Sequence, residues 1–513
     1  MATGKIETVR YSDFSKGMAT APSTIGDRYF PYMLNMLPVG DRLRSRFGWV
    51  EAGTFADGAV IAMMCVNASG IFTIATGGQV RWYAFGSSPL SISANNLVGT
   101  LPTGSLGTSS VSMCMFGSTL VVTSIFDGTY TGTTAAGSLA LANATVKGNC
   151  VAVWQNKVWA GGGTRVWWSN AGSATAWTTA SDFVDIKDIS GASLTALGSG
   201  TGVDIIGRQS LHVFKDASWY RIVDSTTGEY LTMSDDHGAT SYQSVAPIGN
   251  TVYFTNAKGL HSATGSESSK RVLRGEDVPW YTAPYLGVTG EQLMLFGSGT
   301  GLQSVYWIFE PRSGGMFPQQ AAIGTFIPGT GATALVNGLF GTTNGLLLVN
   351  SVPAANDTLL VAPPPATGVT NITGQTIQNF DFTNTDFTRA LRLPAISAQG
   401  RKTRLRRLFL TCRIGHSGSL TTSWQVYANI DAAYSGDSSI RSFPVTITPT
   451  DDLTHTWSQA SAGAYREVLP GIVTSGRPTT IQQQYDFMVT SPVQQIPGFE
   501  ISEIGLDTVP LGF

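Results

Sequence analysis

Along the first seven-tenths of the chain, hydrophobic and polar positions fall into one recurring motif. A short β-rich apolar run meets a small polar turn, and a second apolar run follows. It is seen in IAMMCVNASGIFTIATGG (61–78), SMCMFGSTLVVTSIFDG (112–128), CVAVWQNKVWAGGG (150–163) and VDIIGRQSLHVFKD (203–216). It returns in SVAPIGNTVYFTNAKG (244–259), LMLFGSGTGLQSVYWIFEP (293–311) and LFGTTNGLLLVN (339–350). With the turns placed at Gly70, Ser118, Asn156, Gln209, Asn250, Gln303 and Gly345, successive motifs lie 38 to 53 residues apart. Such turns between β-rich runs are hairpin signals. A hairpin that recurs at this period predicts a β-propeller, in which four-stranded sheets stack around an axis because none can bury both faces alone. Six or seven blades fit between residues 59 and 360, and a β-sandwich with recurrent turns is the competing reading. Few segments hold a 3.6-residue period, so the expected class is all-β.

The pattern changes further on. A Pro triplet at 363–365 marks a linker, placed at 361–378. Beyond it, Leu408, Leu410, Cys412 and Ile414 alternate with Phe409, Thr411 and Arg413, the period of a strand. SWQVYANIDA (423–432), QQYDFMVTSP (483–492) and the closing FEISEIGLDTVPLGF read as further strands. Residues 379–513 are therefore expected to form a second β-sandwich or platform domain, and residues 1–58 an N-terminal arm with platform strands.

Composition narrows the function classes. Charged residues make up 12% of the 513 positions while 42% are hydrophobic, and Gly numbers 59. Low charge without low hydrophobicity does not describe a disordered chain. The net charge of −2 supplies no field for nucleic acid or an anionic membrane. Four cysteines, Cys65, Cys114, Cys150 and Cys412, are too few for a disulfide framework. The N-terminus lacks the apolar core of a signal peptide and no run of 18 apolar residues occurs, so folding in the cytoplasm is expected. Residues 61–180 hold only Arg81, Asp127, Lys147, Lys157 and Arg165 as charged side chains. Such bareness fits a subunit that buries surface in an assembly, because interface cores are depleted of charge. A Ser/Thr-rich free surface is the plainer alternative.

Chemistry-bearing patterns are sparse. No GxSxG, GxxxxGK[ST] or HExxH occurs, and the five histidines form no motif. Asp235, Asp236 and His237, and Asp451, Asp452 and His455, sit in turn-like segments and read as turn residues rather than metal ligands. No catalytic residue, metal or cofactor is expected. Trp154, Trp159, Trp167 and Trp168 crowd one hairpin, either as blade packing or as exposed sugar platforms. Two basic groups stand out: Arg42, Arg44 and Arg46, which alternate, and Arg401, Lys402, Arg404, Arg406 and Arg407. Arg42, Arg44 and Arg46 so arrayed suit bidentate pairing with a neighbour's carboxylates, and the 401–407 group reads as a solvated strand entry or a protein interface, so these eight residues are the expected subunit or adaptor interface.

The segment FSKGMATAPSTIGDRYFPYMLNMLPVGDRLRSRFGWVEAG (14–53), through Phe14, Gly17, Pro31, Asn35, Arg44, Arg46 and Gly48, resembles the opening of nozzle proteins of short-tailed phages. These are also called tail tubular or packaged-DNA stabilisation proteins. KVWAGGGTRVWWSNAGSATAW (157–177), GRQSLHVFKDASWYRI (207–222) and FEISEIGLD (499–507) are similar to stretches of that family as well. The resemblance implies a propeller with a platform domain and a six-fold ring beneath portal and adaptor rings. It implies a channel that retains and then conducts genomic DNA without sequence specificity, contacts with tail fibres or tail tip, no membrane and no catalysis.

Overall fold

The computed structural model describes residues 7–18, residues 50–187 except 67–68, 87–91 and 108, and then 194–203, 209–264 and 269–274. Outside these it describes the strands named below with a few residues beside them. The chain divides into two compact units, one of residues Glu51–Ser304 and Thr325–Pro364, the other of Met1–Val50, Val305–Gly324 and Pro365–Phe513.

The first unit is a β-propeller. Its first five sheets are four-stranded meanders that follow chain order, beginning with Val60–Val66, Val111–Phe116, Cys150–Trp154, Leu194–Val203 and Val245–Ile248. The sixth blade contributes the hairpin Tyr285–Thr289 and Gln292–Phe296 to this unit. The seventh starts with Ala332–Phe340. Each of these seven first strands packs beside the next, and the seventh packs beside the first, so the ring closes.

Blades stack because their strands are apolar on both faces. In the second strand of blade two, Thr119–Ser124, Leu120 and Val122 enter a core shared with Ile61, Phe72, Ile74, Val80 and Trp82 of blade one. Val121, between them, enters a core shared with Val151, Val158 and Ala160 of blade three. The same alternation recurs in blade four, where Leu211 and Val213 pack with the blade-three tryptophans and Phe214 packs with Val252 and Phe254 of blade five. Continuous apolar runs are what a strand buried on both sides requires. Each fully buried large apolar side chain contributes about 1.5–3 kcal/mol.

Turn chemistry sets where the hairpins reverse. Gln155 and Asn156 join Cys150–Trp154 to Lys157–Gly162 with φ of 51° and 56°. Two consecutive positive φ values define the type I′ turn, whose twist matches that of the strands, and Asn tolerates it well. Gly70, Ser118, Asn156, Gln209 and Asn250 each lie at or beside the reversal between a blade's first two strands, and Gly345 lies just past it, inside Thr343–Asn350 and opposite Gly338. Gln303 does not. The first hairpin of blade six reverses earlier, between Tyr285–Thr289 and Gln292–Phe296, because an apolar run with a turn marks some hairpin without saying which one of the blade.

The seventh sheet, Ala332–Phe340, Thr343–Asn350 and Thr358–Ala362, takes its fourth strand, Val50–Thr54, from the other end of the chain. Asp357, 1% exposed, fastens this closure. Its Oδ2 accepts from the Val60 amide at 2.7 Å, its carbonyl accepts from the Phe55 amide at 2.9 Å, and its own amide donates to the Gly58 carbonyl at 3.2 Å.

The second unit holds two six-stranded sheets. One runs Met36–Val39, Arg42–Ser45, Phe499–Pro510, Thr403–Ile414, Tyr465–Val468, with Glu7–Tyr11 also paired to Phe499–Pro510. The other runs Tyr32–Leu34, Arg389–Arg392, Gln482–Thr490, Thr422–Asn429, Arg441–Ile447, with Ile396–Ser397 added to Gln482–Thr490. The strands read from the C-terminal sequence are thus present and belong to two sheets. The region read as a linker contains the short pair Asn371–Ile372 and Gln375–Thr376. Within the same unit the arm is knotted to the hairpin Val305–Glu310 and Gly315–Gln320. Gly17 bridges Met316, the Met18 amide donates to the Met316 carbonyl at 2.8 Å, and Gln319 Nε2 donates to the Met36 carbonyl at 2.8 Å. Gly17 has φ of +61°, and a Cβ there would stand 2.2 Å from the Met316 carbonyl oxygen. Beside it, the rings of Phe14 and Phe30 stack at 5.4 Å, both buried.

Candidate interaction surfaces

The two arginine groups, about 360 residues apart in sequence, meet in one sheet. Arg42 and Arg44 lie on Arg42–Ser45, and Arg404, Arg406 and Arg407 on Thr403–Ile414, the two neighbours of Phe499–Pro510 in the sheet order. Arg46, Arg401 and Lys402 lie outside the described residues. The intervening strand carries Glu500, Glu503 and Asp507. Arg44 and Arg413 both stand opposite Glu500, and Arg407 stands opposite Asp507. The register shifts between Leu405 and Arg407, which places Arg406 at a bulge. Arg10 adds an exposed ion pair to Glu503 at 2.8 Å. Arg42 is exposed. In register, Arg44 and Arg407 stand opposite acidic residues of distant parts of their own chain, while Arg404 stands opposite Val509 and Arg42 opposite Val39.

Blades one to three form a different kind of surface. The few charges of residues 61–180 are mostly taken up inside the chain. Arg81 binds the Asp57 carboxylate with Nη2 at 2.8 Å, and that hydrogen bond is the main reason its pKa is raised. Asp127 accepts from the hydroxyls of Thr103 at 2.7 Å and Ser124 at 3.1 Å. Lys157 Nζ donates to the Ser225 carbonyl at 2.6 Å. Arg165 forms a two-point pair with Asp185 at 2.7 and 3.0 Å, which holds the Asp185 carboxyl below its ordinary pKa. Large apolar residues stand out in water instead: Phe126 is 48% and Leu141 54% exposed, with Leu97 and Ile125 less so.

The tryptophan-rich hairpin is packing. Trp154, Trp159 and Trp168 are buried in one core, with Trp154 and Trp159 rings 5.4 Å apart and Trp159 and Trp168 rings 5.0 Å apart. Trp159 Nε1 donates to the Trp154 carbonyl at 3.0 Å. In the SNAGSATAW loop, Ser169 Oγ accepts from the Val158 amide at 2.9 Å, and Trp177 packs on the core between blades two and three.

Among the described residues no three His, Cys, Asp or Glu side chains are grouped to hold a metal. Asp236 pairs with Lys258, and His237 shares a 2.7 Å hydrogen bond with Ser269. Asp451, Asp452 and His455 lie outside the described residues. The other two histidines of this region are structural. His212 Nδ1 accepts from Trp219 Nε1 at 3.0 Å, and its ring stacks on Trp219. His261 stacks on Phe254 and meets Asn256 Oδ1 at 3.1 Å. Burial lowers both to about 3, so both are neutral near pH 7. Burial also pushes the Cys114 and Cys150 thiols up to about 12, which leaves them unreactive.

Among the described residues no helix is long and apolar enough to cross a membrane. No family model and no curated protein matches the sequence. Solved structures similar to the chain include the WD40 β-propeller domain of Doa1, at 11% identity and a TM-score of 0.42, covering 62% of this chain and 97% of that one. BBS1N in complex with ARL6DN is similar at 12% identity and a TM-score of 0.42, over 65% of this chain and 99% of that one. BamB from Moraxella catarrhalis is similar at 12% identity and 0.37, over 64% and 96%.

Proposed function

We propose that this protein is a structural subunit of a phage tail, a nozzle-type ring that continues a DNA channel below portal and adaptor rings and carries no catalytic centre. The observation that carries the reading is the surface of blades one to three. Its few charges are mostly taken up by partners within the chain, while Phe126 and Leu141 stand exposed, a combination suited to contact with other proteins. The resemblance of residues 14–53 to nozzle proteins supports the same reading, and the buried tryptophans weigh against a sugar-binding propeller. A near-neutral chain also suits a conduit, since cation-rich walls would hold phosphates and slow their passage. In this reading the sheet around Phe499–Pro510, with Arg42 and the other arginines it gathers, supports subunit or adaptor contacts. The test is the mass of the purified particle together with an end-on electron micrograph. A ring of several hundred kilodaltons with a central opening is expected. A protein that stays at its 54.3 kDa monomer mass at every concentration, with or without portal and adaptor proteins, refutes the proposal. Arg42→Glu should weaken assembly while leaving the monomer folded.

A further inference from the structure

The fourth strand of a propeller blade is a sheet edge, and natural edges are protected against unwanted pairing by charge, shortness or cover. The described outer strands of this propeller differ in that protection. Lys270–Arg274 carries Lys270, Arg271 and Arg274. Phe183–Asp185 is three residues long, ends on the ion-paired Asp185 and is followed by Lys187. Tyr230–Ser234 is flanked by Glu229, Asp235 and Asp236, and Val50–Thr54 contains Glu51. Ile92–Thr100 of blade one has no charge, yet it is covered. The segment 134–139 of blade two laps over it, with the Gly137 amide donating to the Leu97 carbonyl at 3.0 Å and the Leu139 amide to the Val98 carbonyl at 2.9 Å. Asn96 Nδ2 adds a bond to the Thr134 carbonyl at 3.0 Å.

The outer strand of blade two, Ala140–Asn143, is short and has a register shift against Gly128–Gly132, but among the described residues it carries neither charge nor cover. It is last in its sheet order, no charged residue occurs from 128 to 146, and Leu141 on it is the most exposed large apolar side chain described. Ile125 and Phe126, also exposed, lie in the turn before the neighbouring strand Gly128–Gly132. We infer that this edge is a docking site for a strand donated by another polypeptide, which adds to blade two by backbone hydrogen bonds. The occupant is an uncharged, extended segment of small residues with a leucine. Two observations select that chemistry. No residue from 128 to 146 would supply a counter-charge to a charged side chain placed here, and the chain itself covers the uncharged edge of blade one with a segment of this kind, TAAGSL (134–139). Main-chain bonds supply affinity in strand addition and alternate side chains supply selectivity. The inference does not depend on the ring reading.

The probe is an acetylated, amidated peptide with the sequence of residues 133–141, titrated into the full-length protein with hydrogen exchange read by mass spectrometry. Saturable binding is expected, with new amide protection confined to residues 140–143. Leu141→Lys should weaken it at least tenfold, while Leu231→Lys on blade four should leave it unchanged; both positions are exposed, so both variants fold. A peptide carrying Lys in place of its leucines should bind at least tenfold more weakly. No saturable binding at millimolar peptide, binding to Leu141→Lys within twofold of wild type, or protection appearing on Ile92–Thr100 instead would each overturn the inference.

Discussion

Removing the Asp357 carboxylate tests whether the propeller is latched where the first and last strands of its ring meet. The group is 1% exposed and accepts the Val60 amide at 2.7 Å. A hydrogen bond to a charged group contributes about 1.5–3 kcal/mol, and a buried donor left without its acceptor costs about 1–3 kcal/mol. The two figures describe the same loss from either side, so Asp357→Ala should open the seam by about 2 kcal/mol. Asp357→Asn keeps a carbonyl oxygen in reach and should cost less than about 1 kcal/mol. The assay is native-state hydrogen exchange at the Val60 and Phe55 amides, because a two-unit chain has no single unfolding free energy. At 1.4 kcal/mol per decade, Asp357→Ala should speed exchange at Val60 by about 30-fold, with little change at amides of blade three such as Val158. Exchange at Val60 within threefold of wild type would refute the latch.

Trp159→Ala removes an indole of 0% exposure and its bond to the Trp154 carbonyl, so a local loss of about 3–5 kcal/mol is expected, read as faster native-state hydrogen exchange at blade-three amides. His212, held near 3 in the fold against about 6.5 unfolded, binds its proton more readily in the unfolded chain. Its contribution to stability is therefore intact above pH 6.5 and falls by about 1.4 kcal/mol per pH unit below it, down to about pH 3. His261 adds the same dependence, and melts at pH 7.5 and 5 should show a drop that shrinks in His212→Gln. Gly17→Ala forces a Cβ into a left-handed backbone against the Met316 carbonyl, at a cost of about 1–3 kcal/mol; limited proteolysis should then cut the arm faster near residues 14–18.

The propeller was legible because its cause is local. Leu120, Val121 and Val122 of TLVVTS and the VWA of KVWAGG put apolar side chains on both faces, and the QN before KVWAGG is a turn. The phase of blade six was not legible, since 293–311 and the true first hairpin share one pattern. Distance in sequence hid the rest. Nothing near Asp357 announces that its acceptor role is for Val60, and nothing near Arg44 or Arg407 announces Glu500 or Asp507. The bare edge of blade two was visible as a charge-free stretch, but only the sheet order shows that its neighbour is covered and it is not.

Because the final strand of the seventh sheet is Val50–Thr54, the earliest part of the propeller to leave the ribosome is also the last to find its place. That segment must wait, unpaired, through the synthesis of roughly three hundred residues until Thr358–Ala362 emerges to receive it, a contact of high sequence separation and correspondingly slow formation. Nascent chains halted before residue 358 should thus remain sensitive to protease around residues 50–60, and those released after 364 should become resistant there.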